Sequence, residues 1–182
     1  MKSYSAESVL KFWFEETTPK QRWQKSPMFD QLVSARFASL HRAAVAVELF
    51  EWRNTAQGRL AEIIVLDQFS RNIYRDDARS FSSDPLALAL AQEAVSLKAD
   101  IDLSSEQRGF LYMPYMHSES ALCHEIALSL FADSGMESFL SFELKHKAVI
   151  DRFGRYPHRN KILGRVSSDE ELKFRHSPES AF

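Results

Sequence analysis

Apolar residues recur at intervals of three and four along most of the chain, the period that gives a helix one buried face. Val9, Phe12 and Trp13, widened by Leu10 and Phe14, predict a first helix over about Ala6 to Glu15. Ser5 is its N-cap and Thr17-Thr18-Pro19 its stop. Leu32, Val33, Phe37, Leu40, Ala44 and Val47 predict a longer helix over about Phe29 to Leu49. After a turn at Asn54 to Gly58, Leu60, Ile63, Ile64 and Leu66 give the apolar face of a helix from Arg59 to about Asn72. Ile63-Ile64-Val65 alone would suit a strand, but the surrounding period and the following Asp67 and Gln68 favour a helix.

Asp84 as N-cap and Pro85 at the first helical position open another helix, running to about Lys98. Ser104 or Ser105 caps a further one through Tyr112, stopped near Pro114. His117 to Phe131 is apolar on one face through Ala121, Leu122, Leu128 and Phe131, and Phe139 to Phe153 makes another helix. A last short helix starts at Ser168, where Asp169-Glu170-Glu171 suit the positive end of the helix dipole. No Asn-Gly or Asp-Gly hairpin and no useful alternating run is present, and no repeat at solenoid spacing. The pattern predicts an all-α chain: one compact domain of antiparallel helical hairpins over residues 1–182. The polar tail 175–182 is expected to be mobile unless Phe182 docks. Trp13, Trp23, Trp52 and most of the 14 phenylalanines are expected in the core.

Composition narrows this picture slightly. A chain of 182 residues suits one domain, which buries roughly 70% of its unfolded surface without help from a disulfide or structural metal. Cys123, the single cysteine, can form no internal disulfide, as expected in a reducing compartment. No apolar run reaches the roughly 18 residues of a membrane span, and no targeting segment is recognisable, so a cytoplasmic location is expected. With 23 basic and 25 acidic residues the formal net charge is −2, which argues against nucleic-acid or membrane-surface binding.

Three polar segments stand out. In Asp67-Gln68-Phe69-Ser70-Arg71-Asn72, Asp67 and Arg71 share one helix face and Gln68 and Asn72 the next. Such a cluster beside a buried helix is either an internal ion pair with supporting amides or the wall of a polar pocket. His117-Ser118-Glu119-Ser120 precedes Cys123-His124-Glu125; the histidines are not at the four-residue spacing that puts two imidazoles on one metal, so no metal site is expected. Arg152 to Arg165 carries Arg152, Arg155, His158, Arg159, Lys161 and Arg165 and no acid. Its arginines either clamp a carboxylate or phosphate or pair with Asp67, Glu119 and their neighbours.

These segments, together with Val9-Leu10-Lys11-Phe12-Trp13-Phe14 and Ser167-Ser168-Asp169-Glu170-Glu171, resemble the bacterial domain-of-unknown-function family 924 over nearly the whole chain. The resemblance implies a tetratricopeptide-like helical fold and no established activity. The residues themselves suggest one anion-accepting pocket, in a binding protein or an enzyme of undescribed reaction and cofactor. Asp67, Gln68, Arg71, Asn72, Arg155, Arg159 and Asn160 are the candidate ligand-binding residues. His117 and His158 are candidate proton carriers, and Asp67 and Glu119 the partners that orient them. The expected ligand is an anionic small molecule. The rival expectation is a helical scaffold whose surface binds a peptide or partner protein, with the three motifs acting as staples.

Overall fold

The computed structural model describes residues 5–178, all of whose regular elements are helical; the last four residues of the expected mobile tail lie outside them. The chain divides into two compact units, residues 1–111 and 112–182.

In the first unit, α1 (Ala6–Leu10) opens on the Ser5 hydroxyl, which accepts from the Ser8 backbone, and continues as a π turn over Lys11–Glu16. Thr17-Thr18-Pro19 ends that helix and also begins another: Thr18 and Gln21 form a reciprocal capping box for α2 (Pro19–Trp23). α3 (Pro27–Val45) buries Phe29, Val33, Phe37, Leu40 and Ala44 but leaves Leu32 exposed. α4 (Ala56–Ile64) passes through a π turn, Val65–Phe69, into α5 (Ser70–Ile73), so Ile63-Ile64-Val65 is helical. α6 (Asp84–Ser96) has Ser83, not Asp84, at its N-cap position, without a side-chain cap bond, and Asp84 and Pro85 are its first two residues. The core is aromatic: Phe37 lies 4.9 Å from Phe12 and 4.7 Å from Phe69, and Trp13 lies 5.7 Å from Phe69 and 5.6 Å from Phe110. Trp13 is 1% exposed, whereas Trp23 is 51% exposed and stacks one face on Phe110, so the expectation that all three tryptophans are core fails there.

The boundary between the units falls inside α7 (Ser105–Met116). This helix runs through Pro114 instead of stopping before it. A proline in the final turn forfeits one backbone bond and leaves most of the helix intact. α8 (Ala121–Leu130) starts four residues later than expected, and His117 to Ser120 form the connection. It buries Cys123, His124 and Ala127 but leaves Leu122 70% exposed. α9 (Glu137–Phe153) ends on Gly154, whose φ of 67° is the left-handed cap that glycine adopts without strain. Tyr156, Val149, Ile150 and Phe174 pack together, so the second unit's core includes α10 (Asp169–Arg175). Ser168 and Glu171 cap α10 reciprocally.

Candidate functional site

The Asp67 segment lies in the first unit. A π turn places one extra residue in a helical turn and recurs at functional sites; here it carries Asp67 and Gln68, both buried. Arg71 pairs with Asp67 at 3.0 Å and grips Asp84 with both terminal nitrogens, at 2.9 and 3.0 Å. Gln68 donates to Asp67. Asn72 donates to Asp30 at 2.8 Å, and Arg75 donates twice to the same carboxylate at 2.6 Å. All four motif side chains therefore have partners within their own unit, the arrangement that offsets the cost of burying charge.

The other two segments meet in the second unit. A helix leaves its last carbonyls without intrahelical partners, and beyond α7 three successive ones are met from elsewhere. Met116 O accepts from the Tyr156 hydroxyl. His117 O accepts from Arg159 Nη2 at 2.9 Å, and Ser118 O from His124 Nε2 at 2.9 Å. The next residue, Glu119, accepts from Arg165 Nη1 at 2.6 Å, from Nη2 at 2.8 Å and from the Tyr156 backbone N–H at 2.7 Å. Burial alone would raise the Glu119 pKa, but the Arg165 guanidinium and the Tyr156 N–H outweigh it and hold the carboxyl below its usual value.

Behind this turn sits a pair that the sequence reading missed. His124 Nδ1 lies 2.6 Å from Glu143 Oε1, and both side chains are fully buried. A carbonyl oxygen only accepts, so the bond to Ser118 O fixes the proton on His124 Nε2. The proton between Nδ1 and Glu143 is then shared within the pair, as imidazolium–carboxylate or imidazole–carboxylic acid, with no net charge either way. Burial pushes the Glu143 carboxyl above its usual value, against the pull of His124. Glu143 Oε2 is buried with no hydrogen-bond partner among the described residues. The signal was present in the sequence: Glu143 interrupts the stripe Phe139, Glu143, His146, Ile150, whose four-three-four spacing marks a buried helix face.

Tyr156 is the hub. Its buried ring has His158 at 5.4 Å, His146 at 5.7 Å and His124 at 6.3 Å, centroid to centroid, with the Arg159 guanidinium over it at 4.7 Å. His158 is exposed, His117 and His146 half-buried, and Arg159 buried. Burial drives the His146 pKa well below the usual imidazole value, against the pull of the Phe142 carbonyl that accepts from its Nδ1 at 2.8 Å.

Three other arginines of the segment, Arg152, Arg155 and Arg165, pair with acids of the same unit. Arg155 grips Glu171 with Nε at 2.7 Å and Nη2 at 2.9 Å. That bond above all holds Glu171 down at about 2. Arg152 donates twice to Glu170, and Asn160 bridges Arg165 and Ser167. The second unit thus gathers His117, Glu119, His158, Arg159 and Asn160 around Tyr156, adds His124, Glu143 and His146, and commits Arg155 to Glu171. Among the described residues no group of three His, Cys, Asp or Glu side chains is arranged to hold a metal ion.

An all-helical chain with a tyrosine ringed by imidazoles and a set of internal arginine clamps is the class these observations define. The chain belongs to a bacterial family of proteins of unknown function, DUF924, whose profile matches residues 9–179. It is similar to a solved structure, that of the protein of unknown function ATU0120 from Agrobacterium tumefaciens. The two share 34% identity and a TM-score of 0.89, over 94% of this chain and 96% of that one. No curated protein matches. No helix among the described residues is long and apolar enough to cross a membrane.

Proposed function

We propose that the protein binds an anionic small molecule at the histidine-ringed face of the second unit. The observation that carries this reading is the convergence of His146, His158 and Arg159, from two separate segments, around one tyrosine, with Arg159 also holding the His117 backbone carbonyl. Both nearby acids are already neutralised, Glu143 by its shared proton with His124 and Glu119 by Arg165. The imidazoles supply the donors to the ligand, beside the Arg159 guanidinium that lies over the Tyr156 ring. The backbone clamps on residues 116–118 hold His117 in place, a preorganisation that lowers the entropic cost of binding. His117 and His158 keep the proton-carrier roles expected of them, which leaves open an enzymatic use of the site.

A thermal-shift screen of phosphates, nucleotides and carboxylates tests the proposal. A ligand at 100 times its Kd adds about 2.7 kcal/mol of stability, or roughly 5–10 °C at this chain length. A shift that is lost in His158→Gln, whose exposed ring contributes little to folding, supports the site. A full panel without any shift refutes it.

The scaffold reading rests on a different observation: Arg71, Arg155 and Arg165 each clamp an acid of this same chain. In that reading the motifs are staples, the hairpins stack as in tetratricopeptide proteins, and a protein partner binds elsewhere. Its test is a partner recovered from cytoplasmic extract that Leu122→Ser releases and His158→Gln does not.

A further inference from the structure

The first unit holds a buried histidine that the anion site does not use. His41, on α3, is 3% exposed, and its Nε2 lies 2.6 Å from the Ser70 hydroxyl at the start of α5. Ser70 gives its one hydroxyl proton to Leu66 O, and a carbonyl only accepts, so the bond between His41 and Ser70 uses a proton on Nε2. Nδ1 is then the bare lone pair of a neutral imidazole. It is buried with no hydrogen-bond partner among the described residues, and the Tyr74 ring stands edge-on to the imidazole at 5.4 Å. A proton on Nδ1 would create a buried donor and a buried charge together. The elements packed on the ring have no acid to spare for that charge. α3 packs along α5 and the π turn before it. On α3, Asp30 is held by Arg75, Arg36 holds Glu16, and Arg42 donates to Ser39. Asp67 of the π turn pairs with Arg71 of α5. Beyond α5, Asp76 lies beside Arg75 and Asp77 pairs with Arg79. Burial, helped by the charge of Arg42, therefore holds the His41 pKa below its usual value.

We propose that the His41–Ser70 bond is an acid-sensitive latch, which ties α3 to the helix carrying the Asp67 segment while the imidazole is neutral and opens when the imidazole takes a proton. The inference stands apart from the anion site, which lies in the second unit. Opening brings the imidazole to water, where it takes a proton near its ordinary value of 6.5. The closed ring takes one only at lower pH. The closed state therefore has its full advantage above about 6.5 and loses it as pH falls below that value, by up to about tenfold in the open-to-closed ratio per pH unit. Phe37 of α3 stacks on Phe69 of the π turn at 4.7 Å, so the same two elements share the aromatic contact that opening loosens.

The test is amide hydrogen exchange of the full chain between pH 7.5 and 5.5, with each rate corrected for the intrinsic pH dependence of exchange. The comparison is His41→Gln, whose amide keeps a donor for Ser70 and does not titrate. In the parent, protection of α3 and of residues 65–73 is expected to fall severalfold, and at most about tenfold, between pH 6.5 and 5.5. In His41→Gln it is expected to stay nearly constant. A nitrogen-15 spectrum of the parent's imidazoles at pH 6 provides a second reading that needs no variant: His41 is expected to be neutral with its proton on Nε2. Equal loss of protection in parent and variant overturns the latch, and so does constant protection in both. A His41 ring that is charged at pH 6 while α3 stays protected, or one whose proton sits on Nδ1, overturns it as well, even where His41→Gln fails to fold.

Discussion

Tyr156→Phe isolates one hydrogen bond. The Tyr156 side chain is fully buried, and its hydroxyl donates to Met116 O at the end of α7 while lying 3.3 Å from His124 Nε2. Phenylalanine keeps the ring, and with it the packing against Val149, Ile150 and Phe174. What changes is that a buried carbonyl loses its donor. Leaving such an acceptor unsatisfied costs about 1–3 kcal/mol, where removing both partners would cost far less. For a chain of this length each kcal/mol moves Tm by about 2–4 °C, so the expected fall is roughly 2–12 °C. In urea at pH 7.5 the midpoint falls while the slope is unchanged, since the surface exposed on unfolding is the same. Tyr156→Ala also opens a cavity and is expected to cost about 3–5 kcal/mol. If Tyr156→Phe unfolds within about 0.3 kcal/mol of the parent, the Met116 carbonyl is satisfied in some other way. The chain of clamps on residues 116–118 then does not hold the turn as described.

Three further outcomes follow from the same geometry. Glu143→Gln keeps a partner for His124 Nδ1 and is expected to cost under about 1 kcal/mol. Glu143→Ala leaves the buried imidazole without that partner and costs about 3 kcal/mol in urea denaturation; equal effects would argue against the shared proton. Glu171 has its folded pKa lowered to about 2, so the stability it contributes is fully present above its unfolded value near 4.5 and is lost as pH falls toward 2. Glu171→Gln is expected to flatten the acid limb of a Tm-against-pH curve in that window, and an unchanged limb would contradict the Arg155 pairing. Gly58→Ala would place a Cβ 1.9 Å from the Trp52 carbonyl oxygen. The first turn of α4 must shift to admit it, and a loss of at least about 1 kcal/mol is expected by thermal melt.

The helices were legible where local chemistry and burial agree. Ser168 with Glu171 three residues on is a capping box written in sequence, and the structure uses it as one. The same signature at Thr18 and Gln21 was passed over, because Pro19 reads equally well as the stop of one helix and the first residue of the next. Pro114 misled in the opposite way: a proline near a helix end costs one bond, which the packing of α7 absorbs. Spacing puts Leu122 on an apolar face and residue type puts Trp23 in the core, yet both are exposed, since neither identifies which neighbour covers a side chain.

The candidate site was half legible. The sequence drew attention to His117, Glu119, His158 and Arg159, and these do gather around Tyr156. It gave no means of choosing between an arginine that holds a ligand and one that holds Glu171, because pairing across 16 residues depends on where α10 folds back. His146 sits between Lys145 and Lys147, a pattern that suits a solvated helix face but also allows the histidine to turn inward. Its ring turns toward Tyr156 because α9 sets it one turn after Glu143, on the same inward stripe.

The central claim is that His117, His146 and His158 form one anion-binding group, and the most direct measurement is a nitrogen-15 imidazole spectrum of the protein recorded with and without sulfate. His41 in the first unit and exposed His176, just after α10, serve as internal controls. The account predicts that sulfate shifts the ring resonances of His117, His146 and His158 and leaves His41 and His176 in place. The His124 Nδ1 proton is predicted to stay bound and downfield throughout. Uniform movement of all six histidines, or movement of His176 alone, would contradict it.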